Sequence, residues 1–167
     1  MNIYGYCRIS TAKQSIDRQI RNIKAEYPTA HIVQEAYTGT SIFRPEWLKL
    51  YRVLKSGDMV VFDSVSRMSR NAEEGFALYD DLYHKGIRLV FLKEHHIDTE
   101  TYKKALSGSI AMTGTNVDFI LKGINEYLMA LAKEQIKLAF EQSEKEVADL
   151  HQRTREGLLT ARLNGCL

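Results

Sequence analysis

The stretch Gly57-Asp58-Met59-Val60-Val61-Phe62 decides the fold class. Its Gly-Asp pair is typical of a turn, and the four consecutive apolar residues are typical of a short strand that is buried on both faces. Strands of this kind occur in parallel sheets whose faces are covered by helices. We therefore predict an α/β domain built around this strand.

Other apolar runs and amphipathic segments alternate on both sides of this strand. The predicted elements are strands at 3–7, 30–36, 59–62 and 87–92 and helices at 15–27, 45–54 and 71–86. This alternation predicts a mostly parallel sheet of four or five strands, flanked by helices. In such sheets functional groups collect beyond the carboxyl ends of the strands, so we expect the site in the segments that follow the first and third strands.

A long helix is predicted in the C-terminal third. Residues 94–116 are polar and predict a loop with a short helix near 101–106, whereas residues 116–163 contain no proline. A helix over 116–163 would be about 70 Å long, which exceeds what a domain of this size can cover. We therefore predict an α/β domain at 1–115 and an assembly helix at 116–167, with a bent or broken helix as the alternative.

The first half of this helix carries an apolar stripe that we expect to pack against another subunit. We call this stripe the seam, and it comprises Val117, Ile120, Leu121, Ile124, Leu128 and Leu131. The second half is largely charged, so its function is expected to differ from that of the seam.

Composition excludes several classes of protein. Apolar residues make up 44% of the 167 residues, which is too many for a disordered chain. No apolar run is long enough to cross a membrane, the first residues predict no signal peptide, and the two cysteines lie at opposite ends of the chain. We therefore expect a cytoplasmic protein without a disulfide framework or structural metal.

The charge distribution favours a polyanionic partner, although the net charge is only +2. Residues 1–24 contain five basic residues and one acid, and residues 150–167 contain three arginines and one acid. Basic patches at both ends of the chain suit a polyanion, while solvated surface charge is the alternative for either patch alone.

The segment after the first strand supplies a candidate nucleophile. It contains Arg8-Ile9-Ser10-Thr11, and an extended backbone would point Arg8 and Ser10 the same way. Ser10 would then lie beside a guanidinium at the exit of a strand. The alternative is that Ser10-Thr11 simply forms a turn before the next helix.

The segment after the third strand adds more arginines. It contains Ser66-Arg67-Met68-Ser69-Arg70, and Arg44 follows a small polar loop elsewhere. Arginines that enter from three loops at one sheet edge repel each other unless an anion binds between them, and the planar guanidinium suits phosphate. These segments contain neither a histidine nor an acidic cluster, so we predict no metal and no cofactor and leave the general base unassigned.

Four motifs in order resemble those of the serine recombinases, the resolvase/invertase family. They comprise Tyr6, Arg8-Ile9-Ser10-Thr11, Gln14 and Asp17-Arg18-Gln19; Thr38-Gly39 with Arg44-Pro45; Gly57-Asp58 with Ser66-Arg67-Met68-Ser69-Arg70; and Arg153-Thr154-Arg155-Glu156-Gly157-Leu158. Two departures stand out. Ser66 replaces an acid that many members carry, and the long 94–116 segment resembles that of the large recombinases of phages and of conjugative or transposable elements.

The resemblance implies DNA strand breakage and rejoining without metal or cofactor. Ser10 would attack a phosphodiester to give a 5′-phosphoserine link and a free 3′-hydroxyl. The residues assigned to the phosphate are Arg8, Arg67 and Arg70, with Arg44 at its edge. The supporting residues are Gln14 and Gln19, which would fix the loop and the DNA backbone, Ser66, and Arg153 and Arg155, which would lie along DNA.

The resemblance also implies partners and missing parts. Double-stranded DNA would be the substrate, bound by a homodimer that becomes a tetramer in the synaptic complex. Family members continue into a DNA-binding domain, which we expect to be absent from this chain. Two alternatives remain: a non-catalytic α/β signalling domain that dimerises through its helix, and an enzyme for small phosphoesters, which the lack of a Gly-rich phosphate loop disfavours.

Overall fold

The computed structural model describes residues 1–9, 16–35, 44–107 and 110–165. Its elements in chain order are β1 Ile3–Arg8, α1 Asp17–Glu26, β2 His31–Glu35, α2 Pro45–Val53, β3 Met59–Phe62, α3 Val65–Met68, α4 Ala72–His84, β4 Arg88–Phe91, a 3-10 turn His95–Ile97, α5 Thr99–Ser107 and α6 Asp118–Leu163. The predicted strands and helices are confirmed with shifts of one or two residues at most of their ends. The one-turn helix α3 was not predicted.

The four strands form one parallel sheet in the order β2-β1-β3-β4. Alternate side chains of each strand enter two separate cores. Tyr6 and Phe62 face a core shared with α2, α4, α5 and α6, whereas Cys7 and Val61 face a smaller core under α1. All four residues of β3 are buried, as predicted for a central strand between two helical layers.

Side chains cover the free edge of β4. Thr99 Oγ1 accepts a hydrogen bond from the Leu89 N–H at 2.9 Å and donates to the Leu89 carbonyl at 3.3 Å. Asp98 Oδ1 accepts from the Phe91 N–H at 2.7 Å. These are the backbone groups with which a fifth strand would pair. In the described part of the chain the sheet therefore has four strands, the lower of the two predicted numbers.

Helix α6 is one continuous helix of 46 residues, about 70 Å long. Its middle lies on the α/β domain, where Ile136, Ala139, Phe140 and Ser143 are buried against α3, α4 and α5. This docking was not predicted from the sequence. Among the described helices, none is long and apolar enough to cross a membrane.

The seam is largely uncovered by the protein's own domain. Val117, Ile120, Ile124 and Leu128 are exposed, whereas Leu121 and Leu131 are half-buried. The helix therefore docks through its middle and leaves most of the seam exposed to solvent.

Candidate active site

Four arginines converge at the carboxyl edge of the sheet. Arg8 ends β1, Arg44 precedes the first residue of α2, Arg67 lies in α3, and Arg70 follows α3. We call these four residues the arginine cluster. The predicted nucleophile Ser10 and the supporting residue Gln14 lie outside the described residues, so their roles stay predictions.

Arg8 is buried and reaches from β1 to the end of α3. Its Nη2 donates to the Ser66 carbonyl at 2.7 Å, and its Nε donates to the Arg67 carbonyl at 3.3 Å. Only 6% of the residue is exposed. The guanidinium is thus fixed in one place at the edge of the sheet.

Arg44 and Arg67 complete the contacts around α3. Arg44 Nη1 donates to the Met68 carbonyl, and Arg67 Nη1 donates to the Arg8 carbonyl at 3.1 Å. The last carbonyls of a helix receive no hydrogen bond from an N–H group of the same helix. Cationic side chains are therefore favoured beside them. In a helix of four residues nearly every carbonyl is of this kind, which explains why the carbonyls of α3 bind Arg8 from the end of β1 and Arg44 from the residue before α2.

The positive charges of Arg8, Arg44 and Arg67 are not balanced by ion pairs within the described residues. Among the acidic side chains that the structure describes, none forms an ion pair with Arg8, Arg44 or Arg67. Burial and then the charges of Arg44 and Arg70 lower the pKa of Arg8 to about 9. An anion bound among these guanidinium groups would remove this electrostatic cost.

The pKa of Arg67 is lowered as well, by burial and by neighbouring positive charges. Burial lowers its pKa, Asp63 partly opposes this effect, and Arg18 and Arg70 add to it. Its Nε is buried and makes no hydrogen bond within the described residues. A buried donor of this kind is suited to an acceptor that is supplied by a ligand.

Gln19 anchors the strand that carries Arg8. Its Oε1 accepts from the Arg8 N–H at 3.1 Å, and its Nε2 donates to the Arg8 carbonyl at 2.8 Å. Gln19 is 2% exposed, so α1 holds the end of β1 through a buried amide. This contact fixes the end of β1, two residues before Ser10 in the sequence.

The remaining predicted residues are more peripheral. The Ser66 hydroxyl is 2.7 Å from the Ser64 hydroxyl, while its carbonyl binds Arg8. Arg153 and Arg155 are exposed on α6 beyond its buried segment, and nothing in the cluster contacts them within the described residues.

Two carboxylates that the sequence analysis missed support the cluster. Glu35 Oε2 accepts from the Tyr6 hydroxyl and from the Trp47 N–H, each at 3.0 Å, and so caps the start of α2. Glu94 Oε2 accepts from the Val65 N–H at 3.0 Å and caps α3. Acids are favoured at helix N-termini. An available signal was their position at the carboxyl edge, because Glu35 is the last residue of β2 and Glu94 follows β4.

The described residues contain no group of three or more histidine, cysteine and acidic side chains that could hold a metal ion. What the described part of this edge does hold is fixed guanidinium groups, which can bind a phosphoryl group through charged hydrogen bonds.

Comparison with known proteins defines the class. The family model for the resolvase N-terminal domain matches residues 3–167. The chain therefore belongs to the resolvase family of serine recombinases, whose members are site-specific recombinase enzymes. A greater closeness to the large recombinases stays a prediction.

Individual relatives have low sequence identity to this chain but match most of its length. The chain is 28% identical to a resolvase from Clostridium perfringens over 165 residues, covering 98% of this chain and 73% of the relative. It is 26% identical to the transposon Tn21 resolvase from Escherichia coli, covering 92% and 83%. A solved resolvase family site-specific recombinase from Streptococcus pneumoniae is similar with a TM-score of 0.49 at 20% identity, covering 97% and 98%.

Proposed function

We propose that the protein is a DNA recombinase in which Ser10 is the nucleophile. The Ser10 oxygen attacks a phosphodiester and forms a phosphoserine bond to the 5′ side, while the bond from phosphorus to the 3′ oxygen breaks. Ser10 gives up a proton and the 3′ oxygen gains one. The number of phosphoester bonds is unchanged, so rejoining by the 3′-hydroxyl of another strand requires no nucleotide.

The arginine cluster, in which Arg8 is buried and the other three are half-buried, is the observation that carries this proposal. Phosphoryl transfer places negative charge on the phosphate oxygens, and preorganised donors that stabilise this charge lower the barrier. Arg8 lies two residues before Ser10, and it contacts the carbonyls of the segment that holds Arg67. Arg8, Arg67 and Arg70 would bind the scissile phosphate, with Arg44 at its edge. Metal ions would not be needed for this step.

The proposal assigns subunit assembly and contacts with the DNA backbone to the long helix α6. The exposed seam supports assembly of the protein as a dimer, and as a tetramer when two DNA sites are joined. The exposed Arg153 and Arg155 on the distal half of α6 suit contacts with the backbone of double-stranded DNA. In this proposal residues 1–115 perform the chemistry and residues 116–167 arrange the subunits on DNA.

The test is capture of the covalent intermediate. The probe is a pool of labelled double-stranded DNA with a nick beside a randomised central sequence, so that a cleaved fragment dissociates and cannot be rejoined. The proposal predicts DNA linked to Ser10, identified by denaturing electrophoresis and mass spectrometry. A purely structural dimerisation domain would leave no attached DNA, and a small-phosphoester enzyme would release its product. The selected duplex then serves as substrate in the experiments below.

A further inference from the structure

Helix α6 contacts the start of α4 through Glu144. Glu144 Oε2 accepts a hydrogen bond from the Ala72 N–H at 3.0 Å, across 72 residues of sequence. Ala72 is the first residue of α4, where the N–H group has no acceptor within the helix. The Asn71 side chain accepts from the Glu74 N–H at 2.9 Å. Helix α4 is therefore capped partly by its own sequence and partly by the long helix.

Close packing holds the two helices together at the same place. Phe140, one turn before Glu144, is almost fully buried, and its ring lies over Gly75 in the first turn of α4. A Cβ atom at Gly75 would be 2.5 Å from two ring carbons, so a larger residue would force the helices apart. The position of α6 is thus tied closely to the first turn of α4.

The first turn of α4 continues directly from the arginine-bearing segment 67–70. Ser69 links the two, because its hydroxyl donates to the Asn71 carbonyl at 2.9 Å and accepts from the Asn71 N–H at 3.2 Å. On the other side, Arg8 and Arg44 hold the carbonyls of α3. Segment 67–70 therefore lies between the arginine contacts at one end and the α6 contacts at the other.

We propose that Glu144 is a positioning residue that couples the placement of α6 to the arginines of segment 67–70. The inference rests on the proposed recombinase function and deepens it, because the helix that carries the seam would then also set the geometry of the catalytic arginines. Loss of the Glu144 hydrogen bond leaves the first N–H of α4 without its acceptor and loosens the attachment of the segment.

The experiment compares Glu144→Ala with Glu144→Gln, whose amide oxygen can accept the same hydrogen bond. Glu141→Ala, at an exposed position one turn earlier, is the matched control. Cleavage is measured in a single turnover at saturating protein, together with DNA affinity, oligomeric state and thermal midpoint. We expect Glu144→Ala to slow cleavage about fivefold, the factor that corresponds to loss of an ordinary helix cap. Affinity should stay within about twofold, as a positioning role without DNA contact implies.

A second variant removes the donor instead of the acceptor. Ala72→Pro eliminates the N–H at the first helical position, where proline is well tolerated. Asn71 already has the extended backbone, with φ −97° and ψ 125°, that a following proline requires. Because both variants remove one hydrogen bond, the double variant should be no slower than the slower single variant. This pair also gives an answer if Glu144→Ala does not fold.

The outcomes separate the two proposals. A wild-type protein that forms no covalent DNA adduct overturns the proposed function. An active wild type with unchanged cleavage in Glu144→Ala or in Ala72→Pro overturns only the coupling. The coupling is also overturned if Glu144→Gln cleaves as slowly as Glu144→Ala, or if the effects on the cleavage rate add in the double variant. An equal loss of cleavage rate in the control Glu141→Ala would overturn it as well.

Discussion

Arg8 and Arg67 hold each other in place through reciprocal hydrogen bonds. The Arg8 side chain donates to the Arg67 carbonyl at 3.3 Å, and the Arg67 side chain donates to the Arg8 carbonyl at 3.1 Å. Each arginine thereby fixes the backbone of the other while both are largely desolvated. The two guanidinium groups are oriented before any ligand binds, which is the condition under which charge stabilisation is most effective.

Replacing Arg67 or Arg70 by alanine should reduce cleavage far more than DNA binding. Removal of one preorganised donor costs about 3–4 kcal/mol of transition-state stabilisation, or roughly a hundred- to thousandfold in rate. Affinity depends on many phosphate contacts and should fall only slightly. The measurement is single-turnover cleavage at saturating protein beside a binding titration.

Arg155→Ala is the matched control for these variants, because Arg155 is exposed on α6. It should weaken binding while leaving the saturated cleavage rate intact. If Arg67→Ala instead loses affinity and rate in the same proportion, Arg67 is an ordinary backbone contact.

Gln19→Leu should destabilise the fold by about 1–3 kcal/mol. The buried Arg8 N–H would lose its acceptor, which costs about that much, while the Arg8 carbonyl would keep Arg67 as a donor. Urea denaturation measures the free energy of unfolding. Gln34→Leu, at an exposed position of β2, is the control and should be nearly neutral. Equal stabilities of the two variants would show that the Gln19 amide does not anchor β1.

Glu94→Gln should stabilise the protein at neutral pH but not in acid. Burial raises the pKa of Glu94, although its hydrogen bond from Val65 opposes the shift. The folded state therefore holds the proton to higher pH than the unfolded state, and wild-type stability falls as pH rises through that interval. Glutamine keeps an acceptor for Val65 without the charge.

The measurement is the difference in thermal midpoint between Glu94→Gln and wild type from pH 4 to pH 7. It should be smallest at pH 4 and should increase towards pH 7. A difference that decreases as pH rises would mean that the Glu94 carboxylate is stabilised by the cations around it.

Disruption of the seam should abolish self-association. Ile124→Asp combined with Leu128→Asp places two charges on an exposed apolar surface, which a stable interface of about 800 Å² per partner cannot accommodate. Light scattering should show an associated wild type and a monomeric, folded variant that cleaves poorly. The control is Leu158→Asp with Leu159→Asp on the exposed distal half, which should still associate. A wild type that is monomeric at high concentration would contradict the assignment.

The sequence predicted the sheet and the arginines because both depend on local patterns. The β3 run Met59–Phe62 has the predicted bounds, and the arginines follow strands whose carboxyl ends meet at one edge. Helix α3 was missed because four residues are too few to show a helical period.

Contacts between residues far apart in the sequence could not be predicted from local patterns. Glu94 and Glu144 bind backbone N–H groups 29 and 72 residues away, and no spacing rule connects such partners. The burial of Phe140 on α4 was missed for a related reason. A helical apolar stripe shows which side chains need a neighbour but does not show whether that neighbour is the same chain or another subunit.

The central claim is that Ser10 forms the covalent bond to DNA with the arginines in place of metal ions. The most direct measurement is covalent capture of the selected nicked duplex, with and without EDTA, by wild type, Ser10→Ala and the neighbouring control Thr11→Ala. We expect wild type and Thr11→Ala to form the adduct equally well in EDTA, and Ser10→Ala to form none while keeping its fold and its assembly state. An adduct that persists in Ser10→Ala, or one that requires Mg²⁺, would contradict the account.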